Sequence, residues 1–545
     1  MKLVKFQLPA HLTPKYAALT VTFLAAAALS ACGGGDDMLS PVVVLPVVTN
    51  SVQSMGVGTV SAIVSKYELQ ADDKYFVPYE GSNIATKAEF PKGFLPSYGS
   101  ALAFKARRPD GTLEFYGLTD RGPNGDGPRV PAIAPATGQS DAKFFPAPSF
   151  TPSIGVITVG PGGAVLQSSQ PILFSAALKS SGLSLAPGKV GSSGEVPLSD
   201  GARFDTAKAN FSDQGIDTEG IAVDAARGVL WVSDEYGPFI MRINPATGVI
   251  EKRYQPGAGA ADLPAVLARR RANRGLEGLS LDVGTGRLHT FLQSPLSDSQ
   301  ATGTLTASFT GSSVCNTDAG AGKRIERFAR FTRWVEFDPT TEASRMFAYP
   351  LDCNDWADGR TGNAKLGDAV SLGNGKFIVI EQGSAATGKV INRLMLIEVG
   401  NATNIAAAAF NPTTSDLEKS SMSGNAVNGA LYTTVVTLKK TLLFDLNAIG
   451  WVAEKAEGLA LVDDNTLALT NDNDFGLKTV VQSSTGVAIA GADVTACSVD
   501  ALGNFITGTA VGCTLGNTAR LGQGAADERP NRFWLIKFDK KLSAY

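Results

Sequence analysis

Three copies of nearly the same phrase constrain what this chain can fold into: EGIAVD from Glu219 to Asp224, EGLSLD from Glu277 to Asp282, and EGLALVD from Glu457 to Asp463. Each copy is an acidic residue, a glycine and a short alternating apolar run that ends on a turn carboxylate. A second run follows each one: LWVSDEYG, LHTFLQSP and LALTNDNDFG. Apolar alternation broken by a polar turn is the signature of a β-hairpin. The strands of a hairpin are antiparallel, so the residue that opens the first returns to the rim where the second closes. Glu219 is therefore expected beside Asp234 and Glu235, Glu457 beside Asp472 and Asp474, and Glu277 beside the neutral Gln293.

The spacing sets the architecture. The first step is 277 − 219 = 58 residues, and 457 − 277 = 180 is close to three more of the same length. A weaker copy, GDAVSLGNGKFIVIEQG, opens near Asp368 and closes on Glu381; an earlier one carries Gly99 in place of the glutamate and ends on Asp120. Repetition at this period points to an all-β fold, a β-propeller of six or seven blades with loop insertions. One helical stretch is expected, roughly from Asp262 to Asn273, which places Arg269, Arg270, Arg271 and Arg274 just before the second repeat.

The amino terminus bears on compartment. Lys2, Lys5 and Lys15 precede an apolar run too short to span a bilayer, which ends in small residues as secretory signals do. Leu29-Ser30-Ala31-Cys32 resembles a bacterial lipobox, with Cys32 as the lipidated residue and Gly33 after it. The expectation is a lipoprotein signal peptide over 1–31, a flexible tether over 32–51 and a folded domain over 52–545. By resemblance, the exported protein is anchored in the outer membrane through its lipid. Four further cysteines, Cys315, Cys353, Cys497 and Cys513, suit two disulfides in an oxidising compartment. Nearest-neighbour pairing is expected, with three pairings open in principle.

Several chemistries are disfavoured. With 18% charged residues and a net charge of −3, the chain has no basic footprint for nucleic acid. Only His11 and His289 exist, and His11 lies in the signal, which leaves one imidazole for catalysis. No G-x-S-x-G occurs, and His289 reads as a strand residue. GAGAAD at 257–262 and the glycines before Lys323 lack the remaining residues of nucleotide loops.

What remains is a concentration of oxygen donors at hairpin ends: Asp120, Asn124, Asp126, Glu219, Asp234, Glu235, Glu277, Asp368, Glu381, Glu457, Asp472, Asn473 and Asp474. Hard oxygen ligands without imidazole or thiolate select Ca²⁺, with Mg²⁺ second. The stretch DRGPNGDG at 120–127 reads as a cation loop, with a run of Asx turns as the alternative. Candidate metal ligands are Glu219, Asp234, Glu277, Asp368, Glu381, Glu457, Asp472 and Asp474.

TDRGPNGDGP, DTEGIAVD with LWVSDEYGPFI, NRGLEGLSLD and KAEGLALVDD with LTNDNDFG together resemble the bacterial phytase-like domain family, described as having esterase-like activity. The resemblance runs from about Lys66 to Asp539 and implies a β-propeller. It maps family motifs onto Asp120, Arg121, Glu219, Asp234, Glu235, Glu277 and Glu457, without assigning their roles. The long cysteine-bearing insertions depart from the pattern. In a hydrolytic site of this kind Glu235 is the candidate proton acceptor and Asp120 the second, while Arg121 or Arg274 supplies positive charge. The substrate would be a small phosphoester or other ester. A non-catalytic surface propeller with structural calcium, or a lactonase-like propeller, is the alternative.

Overall fold

A computed structural model describes residues 46–545 apart from 134–136, 200–210, 298–323, 408–409, 411–415, 425 and 427–428. The expected signal segment, Cys32 and Cys315 lie outside the described residues. The chain is all-β, and its dominant elements are five four-stranded antiparallel units. The first runs, inner strand to outer, through Ala101–Arg107, Leu113–Leu118, Ser153–Gly160 and Gly163–Pro171. The second uses Thr218–Asp224, Val229–Asp234, Phe239–Ile243 and Ile250–Tyr254. In the third, Leu276–Asp282, Arg287–Leu292, Phe331–Phe337 and Ser344–Pro350 follow the same order, and in the fourth Ala364–Gly373, Lys376–Ser384, Val390–Glu398 and Lys439–Asp445.

The fifth unit joins the two ends of the chain. Gly458–Asp463 and Thr466–Thr470 are followed by Arg532–Phe538, and the next strand is Gly58–Gln70 from the amino-terminal side. Val64 faces Ile536 across this ladder, and Ala62 faces Phe538. Val47–Met55 pairs outside it, antiparallel to Gly58–Gln70.

The inner strands pack side by side in the order first, second, third, fourth, fifth and back to first, which closes a ring. Apolar side chains fill each gap between neighbours. Trp231 and Tyr254 of the second unit meet Leu279 and Phe337 of the third, and Phe291 and Trp334 of the third meet Phe377 and Val379 of the fourth. Sheets sandwiched in this way are buried on both faces, and nearly every position of Thr218–Asp224 and Leu276–Asp282 is buried, polar ones included. A separate lobe carries the Cys497–Cys513 disulfide, with an S–S distance of 2.03 Å, packed among Phe94, Phe144 and Phe505. The expected Cys315–Cys353 pairing involves a residue outside the described set.

Gly58–Gln70 also pairs parallel with Gly163–Pro171, so the first and fifth units form one continuous sheet beside three separate four-stranded ones among the described residues. The long interval after Glu277 holds two steps, 368 − 277 = 91 and 457 − 368 = 89, rather than three. Each is lengthened by an insertion between strands, so equal spacing does not mean equal structure. The helix expected near 262–273 is only a five-residue 3-10 turn, Ala265–Arg269. Proline at 264 fixes its start, and Asn273 takes a positive φ of 54° just before the next strand.

A buried carboxylate cage at the ring axis

The repeated Glu-Gly pair has a geometric cause. A Cβ on Gly278 would lie 2.4 Å from the Cα of Asp368 in the next unit, and one on Gly220 would lie 2.4 Å from the amide nitrogen of Leu279. Only glycine lets the neighbouring inner strand pass that close. At the glutamate the strand bulges: the pairing register shifts between Thr218 and Gly220, and again between Leu276 and Leu279. A bulge re-aims a side chain out of the alternation. Glu219 and Glu277 are thereby turned toward Glu457, whose strand starts in regular register, and a carboxylate oxygen from each of the three lies within 4.8 Å of the others.

Glu219 belongs to a second triad, with Asp217 and Glu235, at the same spacing. All five carboxylates are buried, Glu277 to 1% exposure. Gln293 Nε2 donates to Glu277 Oε1 at 2.8 Å, whereas Glu277 Oε2 is buried with no hydrogen-bond partner. Asp217 Oδ1 accepts from the Arg121 amide at 3.0 Å; its Oδ2 has no hydrogen bond and sits 3.6 Å from Arg121 Nη1.

Burial, and then the neighbouring carboxylates, push these groups upward. Glu219 and Glu277 are raised well above the ordinary glutamate range. Glu235 is raised to about 7 by burial and Asp217, with Arg121 and Arg274 opposing. Glu457 rises to about 8, again from burial first. Such a group of acids either holds protons or holds a cation. The unpartnered oxygens and the all-carboxylate donor set fit a hard divalent ion.

Cations surround the cage. Arg121 pairs with Glu195 at 3.1 Å and lies with its guanidinium 5.7 Å from the centre of the Tyr236 ring. Arg274 is electrostatically coupled to Glu235, Glu277 and Glu457. Lys455 bridges Asp472 and Asp474, the latter at 2.7 Å. Burial alone would lower Lys455, but Asp472, Asp474 and Glu457 outweigh it and hold it charged.

The other candidate ligands are engaged elsewhere. Asp234 accepts from the backbone N–H groups of Asp217 and Gly237 at 2.7 and 2.6 Å. Glu381 accepts from Tyr349 and Lys440 at 2.8 and 2.7 Å. Asp472 takes Ser97 and Lys455, and Asp474 is exposed. In the 120–127 loop, Asp120 Oδ1 accepts from Gly122 N and Asp126 pairs with Lys143, so its oxygens do not converge. Asp120 still faces Asp472 and Asp217, and it is pushed up by burial and by both of them.

Asp368 is the centre of the ring. Its Oδ1 accepts from Ala369 and Leu279 N–H at 2.8 and 3.2 Å, and its Oδ2 from Leu459 and Leu102 N–H at 3.1 and 3.4 Å. One carboxylate thus joins the inner strands of the first, third, fourth and fifth units. Burial drives its pKa up, and the four N–H groups oppose that. A proton on either oxygen would point at a donor.

Sequence reasoning missed Asp217 and Glu195, which lie outside the repeated phrases. Asp217, two residues before Glu219, was within reach of a search for acids flanking each copy. Glu195 carries no such signal. His289 is a satisfied strand residue: its Nδ1 accepts from Trp334 at 3.0 Å, and burial lowers it to about 4.

Fold and site together define an all-β ring protein with a carboxylate cage where its inner strands meet. The profile of the Phytase-like family, "esterase-like activity of phytase", matches residues 100–475. The chain belongs to that family. No curated protein matches it. Among solved structures it is similar to the α-L-arabinofuranosidase PaAbf62A from Podospora anserina in complex with cellotriose, at 8% identity and a TM-score of 0.30, covering 87% of this chain and 98% of that one. It is also similar to the hydrazine synthase of Kuenenia stuttgartiensis, at 9% identity and a TM-score of 0.24, covering 64% and 77% of the two chains.

Proposed function

We propose that this protein is a hydrolase of phosphoesters or related esters, with a calcium ion held by Glu219, Glu277 and Glu457 at the axis of a five-bladed propeller. The observation that carries the reading is the cage itself: acids from three units meet in a buried space, and one of their oxygens is left without a partner. The cyclic order of the five units supports the propeller. Family membership supports ester hydrolysis.

A calcium ion bound there would polarise a phosphoryl or acyl oxygen and acidify a water. Glu235, at about 7, accepts a proton near neutral pH without holding it too tightly. Arg274, beside Glu235 and Glu277, offsets negative charge developing on the substrate. Arg121 is a positioning residue: tied to Asp217 and Glu195, it fixes the acids rather than reaching substrate. Asp120 keeps its role as second candidate acceptor. The depth of the cage also suits a purely structural ion in a binding propeller, the second reading.

The amino-terminal pattern supports export as a lipoprotein of the outer membrane acylated at Cys32, and the Cys497–Cys513 disulfide suits an oxidising compartment. Purified protein assayed on phosphomonoesters, phosphodiesters, carboxyl esters and lactones, with calcium and with EGTA, tests the hydrolase reading. Calcium-dependent turnover supports it, and no turnover on any substrate moves the protein to the binding class.

A further inference from the structure

Next to the cage lies a cavity whose lining is cationic. Arg271, Arg274 and Lys365 contribute to its wall, with Glu454 as the sole carboxylate. Their partners are few: Lys365 Nζ reaches Glu454 Oε1 at 3.3 Å, and Arg271 Nη1 donates to the Gly362 carbonyl at a long 3.4 Å. Glu454 is itself well exposed, and Arg274 Nη1 is buried with no hydrogen-bond partner. The cage acids offset Arg274 from one side, but toward the cavity the three cations have only the exposed Glu454, so an anion there would relieve their mutual repulsion.

The electrostatics agree with the geometry. Burial, then Arg274, Arg327 and Arg324, depress Arg271 to about 10, with Glu326 opposing. Lys365 is lowered by burial and by Arg274, while Glu454 and Glu457 oppose. Ser384 and Asn363 add neutral polar groups to the same wall. Guanidinium forks and a point ammonium form the donor set that recognises a phosphate or carboxylate.

We propose that Arg271, Arg274 and Lys365 form an oxyanion pocket that seats an anionic group of the substrate beside the cage, so that the natural ester carries a phosphate or a carboxylate. This rests on the hydrolase reading for the word substrate, while the pocket itself needs neither metal nor turnover. Arg274 is shared, because it faces both the cavity and Glu235, Glu277 and Glu457. An anion bound there would therefore lie against the cage, a short step from the reacting centre.

The test is calorimetric binding of inorganic phosphate to the full exported domain in EGTA, with acetate, citrate and chloride at matched ionic strength. Saturable binding of phosphate or of a carboxylate, unlike chloride, is expected, and which one binds more tightly distinguishes the two sources. Arg271→Ala and Lys365→Gln should each weaken it at least tenfold, with thermal melts reporting whether the variants fold. A measurement on the unaltered protein guards against misfolding: the bound anion should slow phenylglyoxal labelling of Arg271 at least threefold, read by peptide mass spectrometry. Binding no better than chloride, or unprotected Arg271, overturns the pocket. Binding without ester turnover would leave the pocket standing and remove the hydrolase reading alone.

Discussion

Gln293 donates to one oxygen of Glu277 and leaves the other buried and unpaired. Gln293 stands at the position where the second and fifth units carry acids, so the third unit orients its glutamate with a neutral amide. An amide holds the side chain without neutralising it. That is the arrangement expected of a ligand held ready for a cation.

Removing Glu277's charge should therefore have opposite effects in the two metal states. In EGTA at pH 8, Glu277→Gln should raise the thermal midpoint by relieving repulsion from Glu235 and Glu457. With calcium, unaltered protein should gain stability by preferential binding to the native state, about 2.7 kcal/mol at a hundredfold excess over Kd, and the variant should gain much less. Calorimetric melts of both proteins, with and without calcium, check this; equal gains would exclude Glu277 as a ligand.

The metal-free protein should lose stability as pH rises. Glu235 and Glu457 start from 4.5 in the unfolded reference and move to about 7 and about 8 in the fold. Between those values the native state holds more protons than the unfolded one, so stability present below about pH 4.5 is lost as pH passes through 7 and 8. Melts in EGTA from pH 5 to 8.5 should show a falling midpoint, and calcium should flatten the fall. A midpoint that climbs over this window would contradict the buried acids.

Asp368→Asn should destabilise without removing the metal response. An amide supplies one acceptor oxygen, so two of the four backbone N–H groups would face another donor. Unsatisfied buried donors cost about 1–3 kcal/mol each, giving a loss of roughly 2–6 kcal/mol by denaturant unfolding. A loss below about 1 kcal/mol would mean that the ring does not depend on this carboxylate.

Glu235→Gln should lower kcat by about 10²–10⁴ with calcium affinity largely kept, the pattern of a lost proton acceptor. Glu219→Ala, which removes the residue shared by both triads, should lose calcium affinity and turnover together. Steady-state kinetics with calcium titrations separate the two outcomes.

Mass spectrometry of the mature amino terminus should find an acylated Cys32, and Cys32→Ser should leave the protein unprocessed or released from membranes. An unmodified start at another residue would refute lipidation.

The repeated phrases made the cage legible because the glycine, the bulge and the glutamate are all local features. Glu219, Glu277 and Glu457 come together from three different units. Asp368 deceived because its phrase reads Gly-Asp instead of Glu-Gly, which moves the acid one position along the strand and turns it from the cage to the backbone hub. Glu381 closes its hairpin as expected, yet it meets Lys440 from the outermost strand of its own unit, a partner 59 residues away that no spacing rule could supply. Unit number was obscured by insertions. The cationic wall was hidden for a different reason: Arg271 lies in the link before the third unit and Lys365 on the fourth, and only the packing of neighbouring units in the closed ring sets them side by side.

That closure also governs the order in which the molecule can be made. Gly58–Gln70 completes the last unit by pairing with Arg532–Phe538, so one of the earliest strands waits for one of the last. Contacts so distant in sequence are slow to form and leave strand edges open to other chains meanwhile. A shortened chain that stops before residue 532 would retain every cage acid and still have an unlatched ring. For such a chain the hazard is association with its own copies through the open edge, well before any loss of chemistry.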